Sequence, residues 1–159
     1  FILDTYKKMY EQKRFADAAT YMEQMLYAFQ KTGKVLSALK EARETFEPGH
    51  MRDIMDESIG HLEAGHSYSE KRVLRESLDI VEKEYECRKI KTLHELLISA
   101  EEYGGEADDS ISLLLNDVEL WKRRGYLLQG EKKKAHTNNV VSIVVATALC
   151  AGAVCNCKD

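Results

Sequence analysis

The sequence predicts an all-α protein: a six-helix antiparallel bundle leading into a C-terminal transmembrane helix. Three observations predict it. Pro48 is the only proline among 159 residues, so little interrupts a helical backbone. Apolar residues recur at spacings of three and four, without the alternation of a half-buried strand. Glycines and polar turns fall at the ends of those stripes.

In chain order, residues 1–14 form a lead-in segment, where Ile2, Tyr6, Met9 and Tyr10 begin an earlier turn or a lead-in helix. Phe1-Ile2-Leu3 could also be the end of a preceding membrane span, and a start without Met suggests a fragment. The first full stripe is Phe15, Ala18, Met22, Met25 and Phe29, closed by Gly33. A second helix carries Val35, Leu39, Ala42 and Phe46 and stops at Pro48-Gly49. A third carries Met51, Ile54, Met55, Ile59 and Leu62 and stops at Gly65.

Ser67 followed by Glu70 is a capping box for the fourth helix, whose stripe is Leu74, Leu78, Val81 and Tyr85. The fifth has Ile90, Leu93, Leu97 and Ala100 and ends at Gly104-Gly105. Asp108, Asp109 and Ser110 suit the first turn of the sixth, where acidic groups meet the positive end of the helix dipole. Ile111, Leu114, Leu115, Val118, Trp121 and Leu128 follow one face of that helix. From Gly105 to Lys134 it would measure about 45 Å. Gly125 and Gly130 each cost about 1 kcal/mol relative to alanine, so either could bend it. Short links between helices place neighbours antiparallel. The predicted bundle occupies residues 15–135.

The tail carries the functional signal. After Lys132, Lys133 and Lys134, the run Val140 to Val154 is apolar and uncharged. Basic residues just before an apolar segment hold its near end in the cytoplasm. Fifteen helical residues rise about 22 Å against about 30 Å of hydrocarbon, so the run is a short span or the start of one. A buried core helix is the competing reading, but lysine flanks rather than caps and turns favour a span over 140–157. A secretory signal peptide is excluded, since the run is C-terminal.

Net charge is −4, but residues 122–134 carry +5, leaving −9 for the remainder. That polarity suits a headgroup surface for the basic part and argues against nucleic acid as the partner of the whole domain. The predicted contact residues for membrane or partner are Lys122, Arg123, Arg124, Lys132, Lys133 and Lys134. A solvated basic helix face is the plain alternative. Cys87, Cys150, Cys155 and Cys157 match no zinc spacing and read as free thiols of a reducing compartment.

Several catalytic motifs begin and then fail. His94-Glu95 opens like a zincin helix, but Ile98 stands where the second histidine belongs. His61-x-Glu63 lacks the P-C-x-x-C of a zinc deaminase. Gly125, Gly130 and Lys132 lack the Gly-Lys-Ser/Thr of a phosphate loop, and no nucleophile elbow appears. No cofactor is expected, and no enzyme. Glu101, Glu102, Glu106, Asp108 and Asp109 crowd one turn, which is either a hard-cation site or solvated. His61 and His66 read as helix-end caps, and Tyr6, Tyr10, Tyr21, Tyr27 and Trp121 as core or interface.

Three stretches together resemble the type II secretion system F-domain family, with the Tad-pilus platform branch the most similar. They are Asp17 to Gly33 followed by Val35 to Leu39; Ile59 to Gly65 and on to Leu74; and Glu101-Glu-Tyr-Gly-Gly105 leading to Trp121-Lys-Arg-Arg124. The resemblance covers residues 15–154 and lies in the order of parts: six helices, Gly-Gly, a basic stretch, then a span. Glu106 departs from the apolar residue expected after the glycines.

The resemblance implies the cytoplasmic domain of a non-enzymatic inner-membrane platform protein. Such a protein would couple a cytoplasmic secretion ATPase to pilin assembly, beside other pilus or secretion subunits, the lipid bilayer and further copies of itself. The alternative is a soluble α-helical adaptor whose apolar C-terminal helix packs into a partner or its own core. A metal- or thiol-dependent helical enzyme is a third reading, weakened by the missing ligands.

Overall fold

The computed structural model describes residues 2–65, 70–104 and 109–126, and among them every regular element is an α-helix. These are α1 (Ile2–Thr32), α2 (Val35–Glu44), α3 (His50–Ala64), α4 (Glu70–Tyr85) and α5 (Arg88–Tyr103), followed by α6 (109–126). The chain divides into two units, residues 1–120 and residues 121–159. Of the second unit only residues 121–126 are described, and they are helical. The packing below is that of the first.

The lead-in segment and the first stripe form one helix of 31 residues, about 46 Å long. From Thr5 to Arg14 the sequence has neither Gly nor Pro and is rich in Lys, Glu, Gln and Met, all good helix formers. Nothing there ends a helix once it has started. Ala18, Ala19, Tyr21, Met22, Met25, Leu26, Ala28 and Phe29 are buried, whereas every residue from 3 to 13 is exposed. Gly33 stops the helix at φ 64°, and its N–H bonds the Phe29 carbonyl at 2.7 Å. That left-handed cap is what favours glycine there.

Cross-helix pairs show the direction of each neighbour. Arg43 of α2 forks onto Asp56 of α3 at 2.7 and 3.0 Å, and Lys40 reaches Glu63 at 2.5 Å. Higher positions on α2 therefore meet lower ones on α3, so the two run antiparallel. The same logic applies to α3 and α4: Ser58 donates to the Ser77 carbonyl at 2.7 Å, while Gly65 faces Val73. It applies again to α4 and α5, where Glu82 meets His94 and Lys71 meets Glu102. The antiparallel neighbours that the sequence predicts hold from α2 through α5.

Gly65 does more than end α3. Its φ of −82° is open to any residue. A Cβ there, however, would lie 2.2 Å from Cγ1 of Val73, so the two helices meet where only glycine fits. Glu86 turns the chain from α4 to α5 at φ 46°, and its N–H bonds the Glu82 carbonyl at 2.8 Å. A side chain in that left-handed region is strained.

The core gathers Val35, Leu39, Met51, Met55, Leu78, Val81, Ile90, Leu93, Leu97, Ile111 and Val118. Two predicted stripes shift. Phe46 lies beyond the end of α2 and is half-buried, as are Ile59 and Leu62 of α3. The buried line of α3 runs Met51, Ile54, Met55, Ser58, one position off Ile59. Ser58 is tolerated there because its hydroxyl has a backbone acceptor.

The expected span over 140–157 and the Ser67 capping box lie outside the described residues. Among the described residues no helix is long and apolar enough to cross a membrane.

Candidate functional site

The acidic turn is the first candidate, and its two carboxylates on α5 already have partners. Glu101, at the end of α5, accepts the Val35 N–H at 2.7 Å through Oε2, and its Oε1 lies 3.2 Å from the Lys34 ammonium. Lys34 opens α2 with no side-chain cap of its own. Glu101 therefore caps α2 from across the bundle, satisfying one of the orphan donors every helix start leaves. Glu102 pairs with Lys71 at 2.6 Å. Glu106 and Asp108 lie outside the described residues, and among those described no three His, Cys, Asp or Glu side chains cluster to hold a metal ion.

The predicted basic contacts divide in two. Lys122 is half-buried and Arg123 and Arg124 are exposed on the last turns of α6, which continues through Gly125 to Tyr126 without a break. Lys132, Lys133 and Lys134 lie outside the described residues.

Histidines take roles that spacing did not reveal. His61 is not a helix-end cap: its Nδ1 lies 2.8 Å from the Ser77 hydroxyl of α4. That hydroxyl donates to the Val73 carbonyl at 2.7 Å, so it accepts from His61. His94, which opened like a zincin ligand, is buried in the core. Its Nε2 lies 2.7 Å from the Tyr21 hydroxyl and its Nδ1 2.9 Å from Oε1 of Glu82. The Tyr21 and His94 rings meet edge to face, 5.7 Å between centroids. Burial pushes the Tyr21 phenol well above its ordinary range, and the negative charge of Glu82 pushes the same way. Burial holds the His94 imidazole below its ordinary value, with Glu82 opposing. No periodicity rule would have found this chain, because it joins three helices.

A groove of about 450 Å³ lies between the N-terminal half of α1, the start of α3 and the end of α4. Tyr6, Met9, Tyr10 and Tyr85 line it with apolar and aromatic surface; Lys13, Arg14, Asp17, His50 and Glu84 add charge. The Arg14 guanidinium donates to the Glu84 carbonyl and sits 5.7 Å from the Tyr85 ring centroid, a cation–π distance. His50 meets the Glu84 carboxylate at 2.6 Å. Partial burial raises the Asp17 carboxyl, with Lys13 and His50 opposing. Aromatic surface and charges of both signs thus share one groove, with Tyr6 and Met9 71% and 64% exposed.

Compared with known protein families, characterised proteins and solved structures, the chain matches none.

Proposed function

We propose that this chain is the cytoplasmic helical domain of an inner-membrane platform protein for pilus assembly or protein secretion. It would act without catalysing a reaction, passing the motion of a secretion ATPase through the bundle and α6 to membrane helices. The observation that carries this reading is the order of parts at the end of the bundle. α5 closes on Gly104 at φ 69°, α6 follows with Trp121-Lys-Arg-Arg124 on its last turns, and the three lysines and the apolar run come next in sequence. A basic stretch followed in sequence by an apolar one suits a domain anchored at a bilayer surface.

Two measurements test the proposal. In membrane fractionation the full chain should sediment with membranes, and a chain ending at Asn139 should not. Lys122, Arg123 and Arg124 changed together to glutamate should weaken retention of the cognate hexameric ATPase, or its change in turnover on adding the domain. A full chain that stays in the soluble fraction and leaves ATPase turnover unaltered would favour the adaptor instead.

A further inference from the structure

The buried Tyr21–His94–Glu82 chain has a donor and acceptor order that fits one protonation state. Glu82 is a carboxylate acceptor, 17% exposed, so Nδ1 of His94 carries the hydrogen that faces it. Nε2 is then a bare acceptor and takes the Tyr21 hydroxyl proton. In this arrangement every polar atom of the three side chains that is fully buried is satisfied. A second proton on His94 would turn Nε2 into a donor. Tyr21 would have to become the acceptor, and its own O–H proton has no other acceptor among the described residues. Tyr21 is fully buried, so the orphaned donor has no water to turn to.

The location gives this chemistry a consequence. Tyr21 lies one turn along α1 from Asp17 and two from Arg14, and Glu82 lies on α4 just before Glu84 and Tyr85. All four of those neighbours line the groove. The buried chain thus joins α1 to α4 and α5 beside the place where the exposed end of α1 leaves the bundle. Of the other charged groups facing His94, Arg75 of α4 opposes a second positive charge. The charged side chains of α2 are engaged elsewhere: Lys40 with Glu63, Glu41 with Lys31, and Arg43 with Asp56 and Glu44. On α6, Asp117 is engaged by Lys89. Glu95, next along α5, is exposed.

We infer that Tyr21, His94 and Glu82 form an acid-sensitive latch. It holds α1 against α4 and α5 while His94 is neutral, and loosens that contact, with the groove beside it, when His94 takes up a second proton. The sign follows from the direction of the histidine shift. A native pKa below the unfolded value means the unfolded chain binds a proton first as pH falls. The latch is therefore at full strength above the ordinary histidine value of 6.5 and weakens as pH falls below it. Across that window the opening equilibrium grows by up to about tenfold per pH unit. Asp17, with its raised carboxyl, contributes in the opposite sense, and at lower pH.

The test uses the full chain, labelled in its histidine rings and followed by NMR from about pH 8 to about pH 5, across the range in which histidine titrates. The His94 ring should titrate below 6.5, and Glu82→Gln should move it lower still, because the carboxylate favours the charged ring. Hydrogen exchange of the α1 amides around Tyr21, corrected for intrinsic rates, should accelerate below about pH 6 in the parent. In His94→Gln, which keeps one donor and one acceptor but does not titrate, that acceleration should be lost. No acceleration of exchange in the parent down to about pH 5, a His94 midpoint at or above 6.5, an E82Q midpoint at or above the parent's, or an unchanged acceleration in H94Q would each overturn the latch. Should H94Q fail to fold, the parent and E82Q titrations decide.

Discussion

Residues 3–13 and residues 15–32 belong to one uninterrupted helix, yet they live in different surroundings. Leu3 is 83% exposed and Leu26 is fully buried. Both segments have apolar residues at helical spacing, and both are helical because nothing in either breaks the backbone. What differs is the neighbours. The later segment has α2 and α5 to cover it, whereas the earlier one borders a groove that it shares with the start of α3 and the end of α4. Spacing sets where an apolar stripe can be; partners decide whether it becomes core.

The comparison can be broken most directly by equal truncations in the two segments. Leu26→Ala should lower unfolding stability by about 2–4 kcal/mol, through lost burial and a cavity. Leu3→Ala should stay within about 0.5 kcal/mol. Urea denaturation of both variants measures the contrast, and a comparable loss at Leu3 would mean that the exposed end is covered in solution.

A second test asks whether the covered region depends on close helix approach. Gly65→Ala should cost about 1–3 kcal/mol by overpacking against Val73. Gly60 on the same helix has open space around it, and Gly60→Ala should be neutral or slightly stabilising through helix propensity. Equal effects at the two glycines would mean that the α3–α4 contact yields.

Smaller effects sharpen the picture at the helix ends. Glu101→Ala should remove the cap on α2 and cost about 1 kcal/mol, with hydrogen exchange faster at the first α2 amides. The smallest expected effect is a gain. Glu86→Gly relieves the left-handed backbone of the α4–α5 turn and should stabilise by about 0.5 kcal/mol, since glycine loses part of the benefit through unfolded-state entropy. A loss of stability there would mean that the Glu86 side chain makes a contribution larger than its strain.

Much of the fold was legible from the sequence. The stripes through Met22 and Met25, Val35 and Leu39, Leu78 and Val81, and Leu93 and Leu97 all became core, because amphipathic spacing and glycine stops are local signals. Ile59 and Leu62 misled for an instructive reason. They satisfy helical spacing from Met55 about as well as Ser58 does, and only the position of α4 makes the Ser58 line the buried one. The candidate sites were less legible. Glu101 reads as one acid of a crowded turn, and nothing local to it mentions the bare start of α2, 66 residues away in sequence. His94 reads as half a metal motif, although its partners come from α1 and α4.

The sequence by itself determined that the described chain is helical, where most helices stop, and which long stretches lack any breaker. These follow from interactions within a few residues: propensity, capping and backbone sterics. Tertiary structure alone decided that residues 3–13 of α1 are left exposed, that α5 caps α2, that α3 and α4 meet at a glycine, and that a tyrosine, a histidine and a glutamate from three helices form one hydrogen-bonded chain. Each of those depends on atoms brought together from distant positions, and burial and hydrogen bonding act on that proximity rather than on order along the chain.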